Sequence, residues 1–101
     1  MNTDYPKREV TNLRVEAGKL DLTVDGRHYQ FELSKFSRRL ALGTPQEQAA
    51  VRLSPTNYGL HWPLLDEDLT IDGLISGRIL PEANASFERW LSTRSNRPNA
   101  A

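Results

Sequence analysis

Residues 20–33 of the chain read LDLTVDGRHYQFEL, and this stretch predicts a β-hairpin. Asp25-Gly26 is a favoured pair for a two-residue type I′ turn, because both central positions need a positive φ. Folding about that turn places Leu22 opposite Tyr29 and separates apolar from polar side chains. The apolar face holds Leu20, Leu22, Tyr29, Phe31 and Leu33, and the polar face holds Asp21, Thr23, His28, Gln30 and Glu32. A slip of one residue would turn the whole apolar set toward water, so the register is well specified.

Alternating apolar residues also occur before this hairpin and further along the chain. Residues 10–16 are predicted to form a strand that precedes the hairpin, so the first three strands make a meander. Residues 51–53 and 60–62 alternate in the same way on either side of a segment with turn composition, which predicts a second hairpin. Its inward side chains are Val51, Leu53, Leu60 and Trp62. We expect the five strands to form one layer.

Two helix starts are predicted between the hairpins. Ser34 is of a residue type that caps helices, and it precedes Phe36 and Leu40, which are spaced about one helical turn apart. Residues 44–47 read TPQE, which is a capping box with proline at the first helical position. Both features satisfy backbone amides that have no partner within the helix. We therefore expect two short helices in this segment.

A third helix start is predicted at Thr70. Leu69 and Leu74 occupy the two positions of a hydrophobic staple around it, and Asp72 lies in the first turn, where the helix dipole favours an anion. The core-facing stripe of this helix is Ile71, Leu74, Ile75 and Ile79. Because Gly73 and Gly77 weaken the helix by about 1 kcal/mol each relative to alanine, we expect it to be short.

Together these elements predict a single α+β domain in two layers. A three-strand antiparallel meander plus a second short hairpin packs against two or three short helices. We place this domain at residues 8–80, and residues 81–101 form a C-terminal extension with a helix at 86–93 and a frayed tail. The apolar side of that helix holds Phe87, Trp90 and Leu91. The first seven residues are also expected to fray.

Length and composition exclude several classes of protein. The chain has 101 residues, no cysteine, and 13 basic against 13 acidic side chains, so its formal charge is zero. A balanced charge argues against direct nucleic-acid binding, because domains that bind phosphate backbones carry a basic excess. The lack of cysteine excludes a disulfide scaffold and thiol catalysis and fits a reducing compartment. No apolar run is long enough for a membrane span, so we expect a cytoplasmic protein with no membrane contact.

Residues 58–69 read YGLHWPLLDEDL, and this run resembles the bacterial domain-of-unknown-function family 2442. Its members share a glycine before a His/Arg-Trp-Pro step, an acidic stretch and a short helix, and the likeness covers roughly residues 8–80. The resemblance implies a small α+β domain with no established activity. Some members precede a helix-turn-helix domain, and others are encoded beside a small toxin-like protein. An antitoxin-like or partner-binding role is therefore implied, with this chain as the single-domain version.

The acidic stretch is the most conspicuous polar feature. Residues 55–80 contain four acidic side chains and one basic one, whereas Lys35, Arg38 and Arg39 form a small basic cluster earlier in the chain. Such segregated charge favours contact with a charge-complementary partner or with a second copy of the chain. The candidate interaction surface consists of His61, Trp62, Asp66, Glu67, Asp68, Arg38 and Arg39, although Trp62 also fits the core. Our leading prediction is a non-catalytic protein-interaction or regulatory module with a protein partner or self-association, including a homodimer.

Two alternative functions remain open. The first is a small enzyme in which His61 acts as a general base held by Asp66 or Asp68. The second is nucleic-acid binding through Arg38, Arg39 and Arg52, which the zero net charge disfavours. Two isolated histidines without cysteine argue against a zinc site, and Asp68 to Asp72 only imitates the first half of a calcium loop. We predict no cofactor, no metal and no catalytic residue.

Overall fold

A computed structural model describes residues 8–95 of the chain as two antiparallel sheets of three strands each, with several short helices. The first sheet contains β1 (Val10–Glu16), β2 (Lys19–Val24) and β3 (Arg27–Glu32), and the second contains β4 (Arg52–Leu53), β5 (Gly59–Trp62) and β6 (Glu67–Thr70). The helices are α1 (Arg38–Leu42), α2 (Pro45–Ala49), α3 (Ile71–Ser76) and α4 (Asn84–Ser95), and a 3-10 turn spans Leu33–Lys35. The predicted α+β class is confirmed.

The meander has the predicted register. Leu22 pairs with Tyr29 and Leu20 with Phe31, while Leu20 and Leu22 are fully buried. Asp25 and Gly26 both adopt a positive φ (52° and 84°), as the type I′ turn requires. Apolar side chains on one face of this sheet therefore supply one side of the core, as the sequence pattern indicates.

The second sheet contains a strand that the sequence pattern does not reveal. β4 and β5 form the predicted hairpin, with Leu53 opposite Leu60, but residues 67–70 pair with β5 as a third strand. The single five-stranded layer is therefore wrong: no strand of the first sheet pairs with a strand of the second among the described residues. The segment between Leu33 and Val51 folds as short helices and interrupts the sheet.

The first helix starts later than predicted. Ser34 lies within the 3-10 turn and caps nothing, whereas Ser37 caps α1 by accepting the Leu40 amide at 3.1 Å. The capping box of α2 forms as predicted: the Thr44 hydroxyl accepts the Glu47 amide, and the Glu47 carboxylate accepts the Thr44 amide. Serines 34 and 37 are both plausible caps by residue type, so composition alone could not distinguish them.

The third helix starts as predicted, but Ile79, which was expected on its core-facing stripe, lies beyond its end and packs against the core from the following segment. Thr70 Oγ1 accepts the Gly73 amide at 2.9 Å, and the helix ends at Gly77, which adopts a positive φ of 74°. Leu69 and Leu74 are both buried, as the staple requires, and Ile75 is partly buried against the core. Buried side chains of both sheets and of three helices meet in one cluster: Leu20, Leu22, Val24, Leu33, Leu40, Leu60, Trp62, Leu65, Leu69, Ile71, Leu74, Phe87 and Trp90.

Arg8 connects the two sheets. Its guanidinium donates to Asp25 Oδ2 at 3.0 Å, at the tip of the first hairpin, and to Asp72 Oδ1 at 2.9 Å, in α3. Its carbonyl accepts the Asn57 side-chain amide, in the turn between β4 and β5. The hydrogen bonds from the Glu9 amide and Arg8 lower the pKa of Asp25. Arg8 therefore contacts the β2–β3 turn, the β4–β5 turn and the first turn of α3.

α4 extends beyond the predicted helix at both ends. It spans Asn84–Ser95, so residues 94–95, which were expected to belong to the frayed tail, are helical. Phe87 and Trp90 are buried and stack with their ring centroids 5.7 Å apart. The remaining segments that were expected to fray, residues 1–7 and 96–101, lie outside the described residues.

Candidate functional site

A groove of about 470 Å³ brings most of the predicted surface residues together. Its walls are residues 34–39, residues 66–69 and residues 79–82, so it lies between the start of α1, the edge strand β6 and the segment before α4. Three carboxylates of one wall face a basic cluster on another. We call this feature the acidic groove.

The three acidic residues of the groove have different environments. Glu67 is fixed, because the Ser37 hydroxyl donates to its Oε2 at 2.5 Å and the Asp68 amide donates to its Oε1 at 2.9 Å. Asp66 and Asp68 remain in water, with side chains 86% and 74% exposed. Two of the three carboxylates are thus accessible to another molecule.

His61 and Asp68 form the pair that the enzyme alternative requires. They are cross-strand neighbours on β5 and β6, and His61 Nδ1 lies 2.7 Å from Asp68 Oδ1. Arg52 occupies the matching position on β4, opposite His61. If Nδ1 carries the proton that Asp68 accepts, Nε2 is the nitrogen able to take up a proton. The arrangement can therefore orient an imidazole as a base.

A serine hydroxyl close to this pair, that of Ser54, is already engaged. Ser54 lines a shallow groove of about 320 Å³ together with His61 and Asp68. Its Oγ accepts two backbone amides, from Tyr58 at 3.0 Å and from Gly59 at 3.1 Å. These bonds fix the β4–β5 turn, so the geometry gives Ser54 a structural role.

Trp62 does not belong to the surface. Its side chain is fully buried, and its Nε1 donates to the Gln48 carbonyl at 2.9 Å. The bond satisfies the single polar atom of the indole and ties β5 to α2. The structure thus corrects the inclusion of Trp62 in the interaction surface and confirms its alternative place in the core.

The basic cluster faces α4. Arg39 is only 13% exposed, and its guanidinium binds the Glu82 carboxylate with two hydrogen bonds of 2.9 and 2.5 Å. A third bond joins Arg39 to the Asp66 carbonyl at 2.8 Å. Arg38 donates to the Glu82 carbonyl and to the Asn84 side chain. Both arginines are therefore engaged within the chain, while Arg52 lies on the second sheet.

The sequence did not predict the two ion pairs that hold the ends of α4. Glu47 and Arg94 form a second two-bond ion pair, at 3.0 and 3.1 Å, between α2 and α4. The hydrogen bond from Arg94 lowers the pKa of Glu47, and that from Arg39 lowers the pKa of Glu82. A usable signal existed: Phe87, Trp90 and Arg94 fall on one side of a helix at spacings of three and four. That pattern indicates a docked face but not what it contacts.

The described part of the chain contains no group of three or more potential metal ligands. Within residues 8–95, every helix is too short or too polar to cross a bilayer. The polar features of this region include the acidic groove, the His61–Asp68 pair and the ion pairs of α4.

Comparison with known proteins identifies the family. No curated protein matches the chain. A crystal structure of a protein of unknown function from Rhodospirillum rubrum ATCC 11170 is similar, with 23% identity and a TM-score of 0.62; the match covers 79% of this chain and 96% of that one. This likeness supports the fold alone. The family described as "Protein of unknown function (DUF2442)" matches residues 10–79, which is well over half of the chain. The chain therefore belongs to the DUF2442 family.

Proposed function

We propose that this protein is a non-catalytic interaction module that binds a basic segment of a partner protein in the acidic groove. The observation that carries the proposal is the exposure of Asp66 and Asp68 on the rim of a groove large enough for several side chains. Exposed carboxylates beside a concave surface attract a cationic segment and orient it during encounter.

Both carboxylates have a partner within the chain yet remain exposed: Asp66 faces Arg39, and Asp68 contacts His61. The nearest cation to Asp66 is Arg39, whose Nη1 lies 3.6 Å from Asp66 Oδ2, but the same guanidinium is already held by Glu82. Leu80 lines the groove and is 89% exposed, so it offers an apolar contact beside the acidic rim. The expected partner segment therefore carries lysine or arginine next to an apolar side chain.

The family resemblance suggests a biological role for such a module. Members encoded beside a small toxin-like protein favour an antitoxin-like or regulatory function in the cytoplasm. The product of the neighbouring gene is therefore the partner that we propose. Self-association as a homodimer and direct nucleic-acid binding are the competing outcomes.

Calorimetry with the purified full-length chain and the neighbouring gene product tests this proposal. We expect association at or below tens of micromolar, and we expect D66K/D68K to weaken it by at least about tenfold. The control E16K/E88K makes the same charge change at exposed positions outside the groove and should leave binding intact. No association, or equal weakening by both double variants, would contradict the proposal. Sedimentation of the chain alone reports self-association.

The His61–Asp68 contact supports a second candidate function, a small enzyme with His61 as general base. The 2.7 Å contact gives the orientation that such a base needs. The interaction module is the better-supported function, because the pair lies in an open groove and Ser54 is committed to backbone amides. Hydrolysis of an activated ester by the wild type and by H61Q distinguishes the two: a rate that depends on His61 favours the enzyme.

A further inference from the structure

α4 packs against the family domain as an added element. The family match ends at residue 79, and α4 begins at Asn84 after a connection without helix or strand. Because α4 is a helix, its backbone hydrogen bonds are internal, and the contacts that hold it are made by side chains at its two ends and in its middle. The surface beneath it, formed by α1 and α2, is already seen to bind a helix.

The two ends of α4 are held by ion pairs of opposite polarity. Glu82, just before the helix, binds Arg39 of α1, and Arg94, in its last turn, binds Glu47 of α2. All four side chains are at most 20% exposed, so both pairs are partly shielded from water. Each pair makes two parallel hydrogen bonds, a geometry that fixes direction as well as position. A helix bound in the reverse direction would place like charges together.

The middle of α4 is held by aromatic rings against arginines. The guanidinium carbon of Arg39 on α1 lies 5.3 Å from the Trp90 ring centre, and within α4 itself that of Arg94 lies 5.0 Å from the same ring centre. The guanidinium carbon of Arg38 lies 4.3 Å from the Phe87 ring centre. Both rings are 9% exposed. Ring faces attract such cations, so the surface selects aromatic side chains at these two positions.

We propose that the α1–α2 surface is a docking site for an amphipathic helix and that α4 is its resident occupant, which a partner helix of the same chemistry can replace. The recognised pattern is an acidic residue, an aromatic residue five positions later, a second aromatic three further on and an arginine four after that. In this chain these are Glu82, Phe87, Trp90 and Arg94. Arg39 binds the acidic residue before the helix, and Glu47 binds the arginine in its last turn. Because Arg39 and Glu47 have opposite charges, they set the direction in which the helix binds.

Exchange of α4 in a full chain with a cleavable connection tests the proposal. A site-specific protease sequence is inserted after Gly77, the folded protein is cut, and a fluorescein-labelled peptide of residues 81–95 is added. We expect the peptide to bind the cut protein and to bind the uncut protein more weakly, because in the uncut chain it must displace the tethered α4. R39E should weaken binding by at least about tenfold, and a peptide carrying E82R should restore it. The control R14E reverses an exposed arginine of β1 and should not change binding.

Three results would overturn the proposal. One is loss of the folded domain on cutting, monitored by circular dichroism, since α4 would then be an inseparable part of the core. The second is no peptide binding up to about 100 µM. The third is equal binding to the cut and uncut proteins, which would place the peptide elsewhere. The acidic-groove partner takes no part in the experiment, so its outcome is independent of the proposed function.

Discussion

The meander and α4 are held in the molecule by different kinds of contact. In the meander, Leu20 and Leu22 are fully buried and pair with Phe31 and Tyr29, which are 11 and 7 positions away across a tight turn. In α4, the ion pairs join residues that lie 43 and 47 positions apart, and arginines cover the buried rings. Both regions contribute buried side chains to the same core cluster, but α4 is also held by ion pairs between residues that are distant in the sequence. The apolar contacts of the first should be less sensitive to acid and salt than the ion pairs of the second.

Leu22→Ala tests the apolar side of this comparison and has the largest expected effect. Leu22 is fully buried in the central strand of the meander, so the substitution leaves a cavity. We expect a loss of about 3–4 kcal/mol in the free energy of unfolding, measured by urea denaturation. Leu64→Ala is the control, because Leu64 is 53% exposed and its truncation should cost less than about 0.5 kcal/mol. Similar losses in the two variants would contradict the account.

Trp90→Ala tests the attachment of α4. The side chain is buried, with Arg39 of α1 over its ring, but the loss is limited by the free energy with which α4 docks. We expect about 2–3 kcal/mol, less than the usual cost of truncating a core tryptophan. The amide signals of β2 should stay close to those of the wild type in a two-dimensional NMR spectrum. Widespread changes in the meander would show that the two regions are not separable.

Arg39→Glu tests how much the Arg39–Glu82 ion pair contributes to the docking of α4. It removes the two hydrogen bonds to Glu82 and places two carboxylates together, at an expected cost of about 1–2 kcal/mol. The double variant R39E/E82R should recover at least half of that loss, because the opposite charges face each other again. Thermal denaturation of the two single variants and the double variant gives the coupling energy. A coupling near zero would mean that the pair contributes nothing to docking.

Acidification gives the smallest expected effect. The pKa values of Glu47 and Glu82 are lowered in the folded protein by their arginine partners. Both pairs therefore stabilise fully above the unfolded pKa of about 4.3, and that stability is lost as the pH falls through the lower folded values. The Trp90 indole NMR signal should report undocking in this range. Asp25 also has a lowered pKa, so its hairpin needs a separate probe. The variant E47Q should remove the part of this pH dependence that comes from the Glu47–Arg94 pair.

The parts of the fold that could be predicted from the sequence follow short-range rules. The Asp25-Gly26 turn fixed the register of the meander, and Thr44 and Thr70 identified two helix starts, because turn and cap chemistry acts within a few residues. Ser37 was missed as a cap because Ser34 has an equally suitable hydroxyl. The rule identifies residue types but does not choose between neighbours.

The rest depended on contacts between distant residues. β6 was missed because Glu67 and Asp68 have low strand propensity, and only pairing with β5 makes them a strand. The His61–Asp68 pair was anticipated as an alternative, since both lie close in sequence. The partners of Arg39 and Arg94 could not be predicted, because periodicity shows that a helix face is apolar but not which surface covers it.

Native-state hydrogen exchange in low concentrations of urea tests the central claim most directly, because it measures the opening free energy of each region separately. The account predicts that the α4 amides open with a lower free energy than those of Leu20 and Leu22, and that R39E lowers the α4 value alone. A single opening free energy shared by α4 and β2, reduced equally by R39E, would contradict it.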